Sequence, residues 1–276
     1  MKGLLVSLMV LLSVILVVVI LLQPDKSHTV AKTESVLDQE KDGIEKLKNS
    51  KIVLFGLGGV GSYIAEALAR VGIGNLIIVD GDTVDITNIN RQIHSNVKTI
   101  GKYKAEVLKS RIEDINPECI VNINIIKLEK ENIDSFNLAT YDYVIDAIDD
   151  TSAKLSLITY CLSNKIKIIS SMGFGNKLHP EKIELATIEK TSVCPMARTV
   201  RRILKKKGIK GLVVAYSQEN NLKPDKSDLH ASEKPTEFRE NNEMPNKITP
   251  GSNAFVPGTA GLVISAYVIR KLLGME

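Results

Sequence analysis

The chain has 276 residues, 44% of them hydrophobic, and its 36 Lys and Arg against 32 Asp and Glu give a formal net charge of +4. The length suits one sizeable α/β domain with appendages, and so mild a charge permits an anionic partner without identifying one. Cys119, Cys161 and Cys194 are scattered, with no CxxC or metal spacing; no structural zinc is expected, and the pattern fits buried thiols in a reducing compartment.

Residues 3–22 form an uninterrupted run of aliphatic and small residues that includes only two serines and one methionine, about the length that crosses a bilayer as a helix. A retained anchor over residues 1–24 is the expectation. A cleaved signal peptide is the alternative, although its apolar core would be longer than usual and no A-x-A site precedes Lys32. Lys2 on one side, and Lys26 and Lys32 mixed with Asp25 on the other, are too few to orient the span. Residues 25–42 are polar and read as a linker. Residues 43–276 read as the folded domain, entered through a short helix over 43–49.

The stretch 51–82, KIVLFGLGGVGSYIAEALARVGIGNLIIVDGD, predicts strand, glycine turn, helix and strand. Ile52 to Phe55 is a buried-type apolar run, and Gly56, Gly58, Gly59 and Gly61 follow at once. Such a turn needs backbone angles that a Cβ forbids, and phosphate oxygens must approach bare N–H groups at the helix N-terminus. Leu76 to Val79 then delivers Asp80 to the carboxyl end of a second strand, where a doubly wound sheet presents an acid to ribose hydroxyls. The expected fold is therefore α/β, with a Rossmann-like, mostly parallel sheet preceded by a transmembrane helix.

The next residues favour ATP over a dinucleotide. A pyrophosphate can be held largely by a glycine turn and a helix N-terminus, whereas expelling pyrophosphate from ATP needs fixed cations where charge develops. Arg91 can grip phosphate oxygens in bidentate fashion, and Lys104 can add a point charge. Tyr143 to Asp150 is an apolar strand running into acids. Asp149 could hold Mg²⁺ against a triphosphate, while Asp150 or Thr151 could cap the helix that follows. Because ATP chemistry needs cytosolic nucleotide, the expectation is a single-pass protein of the cell membrane whose catalytic domain faces the cytoplasm.

A helix is expected over 152–163, a strand over 166–170, and a flexible turn over 171–175 near the substrate. Residues 196–207 read as a helix carrying Arg198, Arg201, Arg202, Lys205, Lys206 and Lys207 with no acid among them, which suggests a polyanion such as tRNA. Residues 218–250 are polar and read as a mobile crossing loop, and 258–273 as a closing helix whose small residues pack on the sheet.

The series GLGGVG, VDGD, TNINRQ, GKYKAE and DAIDD resembles the ThiF/MoeB superfamily of ATP-dependent adenylating enzymes, relatives of the ubiquitin-activating enzymes. The resemblance implies Gly56, Gly58 and Gly61 at the phosphates, Asp80 on the ribose, and Arg91 and Lys104 on the triphosphate. It implies Asp149 at the magnesium and the reacting carboxylate, with Gly59, Asp82 and Asn88 completing the nucleotide-binding set. Superfamily precedent also implies a homodimer and leaves a sulfur-relay partner open. The segments NINRQIH, INPE, PMAR, YS and FVP are similar to the tRNA threonylcarbamoyladenosine dehydratase family over roughly residues 35–275. That family activates the threonyl carboxylate of a modified adenosine with ATP and closes a ring from within the same nucleoside. The alternative within the superfamily is an activator of a ubiquitin-like sulfur carrier. The apolar stretch through Leu21-Leu22-Gln23 resembles the first membrane helix of SecG, which adds a third reading, an idle nucleotide-binding adaptor of the export machinery.

Overall fold

The computed structural model describes residues 43–222 and 251–275. The expected anchor and linker, and residues 223–250 of the expected crossing loop, lie outside the described residues.

Helix α1, Gly43–Asn49, leads into β1, Lys51–Phe55. Then follow α2 (Gly61–Arg70), β2 (Asn75–Val79), α3 (Lys104–Ile115), β3 (Ile120–Asn124), β4 (Tyr143–Asp146), α4 (Thr151–Ser163) and β5 (Ile168–Ser171). The chain closes with β6 (Ile183–Thr187), α5 (Pro195–Lys206), β7 (Val213–Ser217) and α6 (Phe255–Leu273). Among the described residues, seven strands form one sheet in the order β3-β2-β1-β4-β5-β7-β6. All neighbours are parallel except β6 and β7. The fold is Rossmann-like, and the strand order reverses between β1 and β4, where the carboxyl edge of such a sheet opens a crevice.

The continuous apolar runs of β1, β2 and β4 follow from burial on both faces, as parallel strands between helix layers require. One layer holds α1, α2, α3 and α6, with Leu47, Ile64, Leu108 and Ile264 in its core. The other holds α4 and α5, with Leu157 and Val200. Strands β3, β6 and β7, absent from the sequence expectation, extend the sheet at both edges.

The small residues of α6 serve a different contact from the one expected. A Cβ on Gly258 would stand 3.1 Å from Tyr63 Cε1, and one on Gly261 would stand 2.7 Å from the Val60 carbonyl oxygen. They therefore let α6 press on the start of α2 rather than on the sheet. By length and apolarity α6 could cross a bilayer, yet 67% of its most apolar window is buried inside the fold, which makes it a core helix.

Met172 and Phe174, in the turn expected to be flexible, are buried, and the Met172 amide donates to the Ala215 carbonyl at 2.9 Å. The start of the expected crossing loop is likewise fixed. Buried Glu219 accepts the Leu178 and His179 amides on its carboxylate, and its carbonyl accepts Lys177 Nζ. Apolar periodicity cannot report such polar anchoring.

Charged clusters tie α4 to the sheet and α2 to α3. Fully buried Asp146 and Lys154 pair at 2.7 Å, and Ser170 Oγ and the Ser171 carbonyl complete the network. On the opposite face Glu66 of α2 receives Arg70 at 2.6 Å and Arg111 of α3 at 2.6 Å. Burial would push the Glu66 carboxyl up, but hydrogen bonds from Arg111 and Arg70 together outweigh it and hold the group below its ordinary value near 4.5. A depressed carboxyl stabilises the fold above its unfolded pKa, and that stabilisation fades as pH falls through the folded one. Glu66→Gln is expected to cost about 1–3 kcal/mol at pH 7. Paired urea titrations should show the gap closing as pH drops below about 4.5; a gap independent of pH would contradict the assignment.

Candidate functional site

Gly56 follows β1 at φ +87°, and a Cβ there would lie 2.6 Å from the Ala147 carbonyl oxygen. A Cβ on Gly61 would lie 1.8 Å from the Gly56 carbonyl oxygen. Both glycines are therefore demanded by the fold. Gly58 is different: a Cβ there would meet nothing within 4 Å, so its bareness serves whatever occupies that open space. Helix α2 begins beside it. Its N-cap is Val60, no side chain caps it, and no acid stands in its first turn, which leaves the helix N-terminus suited to an anion.

Asp80, at the end of β2, accepts the Leu57 amide at 2.7 Å on one oxygen and the Asp82 amide at 2.8 Å on the other. Burial raises its carboxyl above the ordinary range, against the pull of Lys104 and the two amides. Each oxygen keeps a lone pair for a further donor such as a hydroxyl. Asp82 binds Lys104 Nζ at 3.0 Å and lies 3.7 Å from Lys127 Nζ. Burial opposes its ionisation, yet Lys104 and Lys127 outweigh burial and hold it below the ordinary range.

A 3₁₀ turn, Ile86–Asn88, precedes Arg91. Asn88 is buried, and its Oδ1 accepts the Asp85 amide at 3.1 Å, so this side chain shapes the turn. Arg91 Nη1 donates to the Thr87 carbonyl at 2.7 Å and to Asn90 Oδ1 at 3.0 Å. Its Cδ would lie 3.5 Å from a Cβ on Gly59, so its stem runs along the glycine turn. Beyond β4 the Ala147–Ile148 backbone packs against Gly56, which brings Asp149 to the same edge. Asp150 takes the capping role, accepting the Ala153 amide at 2.8 Å. Asp149 is exposed and has no hydrogen bond or ion pair among the described residues.

The glycine turn, Asp80, Asp82, Arg91, Lys104 and Asp149 thus gather at the switch point. The basic helix belongs to the other layer. On α5 and its C-cap, Arg198, Arg202, Lys205, Lys206 and Lys207 are exposed, but Arg201 turns inward and donates to Thr191 Oγ1 and its carbonyl, both at 2.6 Å. Neither Asn90 nor the Asp146–Lys154 pair is among the site residues expected from the sequence. Asn90 sits inside the motif as a side chain whose partner lies 162 residues away. Cys194 is buried with its thiol 3.9 Å from the Gly173 carbonyl oxygen. Burial pushes the Cys119 and Cys161 thiols up to about 11 and about 12.

Fold and site define the class: a doubly wound α/β protein whose sheet edge is built for a polyphosphate. The chain belongs to the ThiF family, whose sequence pattern matches residues 33–276. It is 44% identical over 234 residues to the tRNA threonylcarbamoyladenosine dehydratase of Bacillus subtilis, spanning 84% of this chain and 91% of that protein. Crystal structures of the E. coli tRNA N6-threonylcarbamoyladenosine dehydratase TcdA with AMP and with ATP match it with TM-scores of 0.74 and 0.73. Each is 33% identical over 86% of this chain and 90% of that one.

The two kinds of glycine predict different failures. Gly61→Ala should cost about 1–3 kcal/mol of stability through overpacking, visible as a lowered thermal midpoint. Gly58→Ala should keep the wild-type midpoint and raise the Kd for ATP roughly tenfold or more, about 1.4 kcal/mol. Equal ATP binding by Gly58→Ala and wild type would show that the open space is not where phosphate sits.

Proposed function

We propose that this chain is an ATP-dependent dehydratase that cyclises threonylcarbamoyladenosine in tRNA by adenylating its carboxylate. The observation that carries the reading is the set of Gly58, Arg91, Lys104 and Asp149 on one sheet edge of a chain with this similarity to a dehydratase along 84% of its length. The glycine turn and α2 N-terminus receive the phosphates, and Asp80 accepts from the ribose hydroxyls. Arg91 and Lys104 stabilise charge as a substrate carboxylate oxygen attacks the α-phosphorus and pyrophosphate departs. Asp149, a free hard-oxygen donor, fits Mg²⁺ shared with phosphate oxygens, and the bound ion would neutralise the leaving group. A heteroatom of the carbamoyl group then attacks the activated carbonyl and AMP leaves, so the nucleoside loses one water. The nucleophile is tethered to its target, which gives the closure a high effective concentration without an enzyme thiol.

The exposed face of α5, Arg198, Arg202, Lys205, Lys206 and Lys207, supplies phosphate contacts to tRNA. Two copies form a homodimer, on superfamily precedent. Residues 3–22 anchor the chain in the cell membrane, with the domain facing the cytoplasm, supported by the apolar length of that run and the cytosolic supply of ATP.

Washed membranes carrying the full chain, given ATP, Mg²⁺ and tRNA bearing threonylcarbamoyladenosine, should convert that nucleoside to a product lighter by one water in mass spectrometry. Asp149→Ala should abolish the conversion. Activity confined to the soluble fraction would remove the anchor from the proposal; pyrophosphate exchange that appears only with a protein ending in Gly-Gly would move the chain to carrier activation. Arg202→Ala and Lys206→Ala should each weaken tRNA binding across sequences and lower the salt slope of the affinity by about 1. An unchanged slope would place the RNA on another face.

A further inference from the structure

Arg91 is held from one side only. Both protons of Nη1 are engaged, by the Thr87 carbonyl at 2.7 Å and by Asn90 Oδ1 at 3.0 Å. The opposite edge, Nε and Nη2, makes no hydrogen bond among the described residues. That edge has the fork geometry that grips two phosphate oxygens at once. A long cationic side chain otherwise samples many rotamers, so fixing Nη1 removes much of the ordering cost of binding.

Asn90 is in turn moored at long range. Its Nδ2 donates to the Ser252 carbonyl at 3.0 Å. The stretch around Ser252 is itself fixed: Gly251 and Asn176 exchange hydrogen bonds at 2.8 and 2.7 Å. Asn253 donates to the Lys177 carbonyl at 2.8 Å, and its Oδ1 accepts the Val256 amide in the first turn of α6 at 2.9 Å. Asn176 also receives the Leu222 amide at 2.9 Å. One asparagine thus connects the guanidinium at the glycine turn to the turn after β5 and to the start of α6.

We propose that Asn90 is a positioning residue for adenylation, holding Arg91 by Nη1 and anchored on Ser252, so that the Nε–Nη2 edge is presented to the phosphates. The proposal rests on the nucleotide site assigned above. It requires both functions of the amide, the acceptor for Arg91 and the donor to Ser252, which no aliphatic or purely acidic side chain combines.

A double-mutant cycle tests it on the full chain, with Asn90→Ala, Arg91→Ala and both together. The readouts are kcat and KM for ATP at saturating modified tRNA, plus thermal midpoints. Asn90 is exposed, so its replacement should leave the midpoint unchanged. Asn90→Ala should lower kcat/KM for ATP about threefold to tenfold, the range of one or two hydrogen bonds. In the Arg91→Ala background the same change should have no further effect, because nothing is left to position. Equal losses in both backgrounds would overturn the positioning role and leave the nucleotide site intact. If Arg91→Ala itself left kcat/KM unchanged, the assignment of Arg91 would fall, and the role of Asn90 with it.

Discussion

The Asp80 carboxylate takes the Leu57 amide on one oxygen and the Asp82 amide on the other, so a single side chain joins the exit of β1 to the exit of β2. Leu57 lies inside the glycine turn, and Asp82 pairs with Lys104 at the start of α3. The positions of the glycine turn and of one fixed cation therefore both refer back to Asp80. Its burial raises the carboxyl pKa, and two amide hydrogen bonds and the field of Lys104 counter that rise only in part. The same geometry leaves each oxygen a lone pair for a further donor, so the structural bonds do not exhaust the group.

Around that anchor the charges are arranged by how they are held. Lys104 is buried against Asp82, and Arg91 is tied by one nitrogen, so both cations are set before any anion arrives. Preorganised charge stabilises a transition state without reorganising at the moment of reaction. Asp149 is the contrasting case, an acid without a partner among the described residues because Asp150 takes over the capping of α4. The wall behind it is rigid, since buried Lys154 joins β4 and β5 through Asp146 and Ser171. Removing one partner of such a pair would strand a charge in the core.

Much of this was legible from residue types. Uninterrupted apolar runs announced β1, β2 and β4, and the glycines and Asp80 lie at the carboxyl ends of β1 and β2 as their spacing implied. Strand β7 was hidden because Val213–Ser217 is a five-residue run pressed between a basic stretch and a polar one, with no period long enough to register. Strand β6 is half-buried along its whole length, so no alternation marks it. The glycines of α6 gave their size but not their neighbour, which is α2. Arg201 looked equivalent to the other cations of α5, and only its bond to Thr191 separates it from them. The linkage from Arg91 through Asn90 to Ser252 is a tertiary contact between motifs, and spacing along the chain cannot express it.

The central claim is that an oxygen of the substrate carboxylate becomes bonded to phosphorus. Preparing modified tRNA with its threonyl carboxylate labelled with heavy oxygen tests this most directly, by mass analysis of the AMP formed in a single turnover. One heavy oxygen is expected in the phosphate of AMP, because the attacking oxygen leaves with it when the ring closes. Unlabelled AMP, or formation of ADP and phosphate in its place, would contradict carboxylate adenylation.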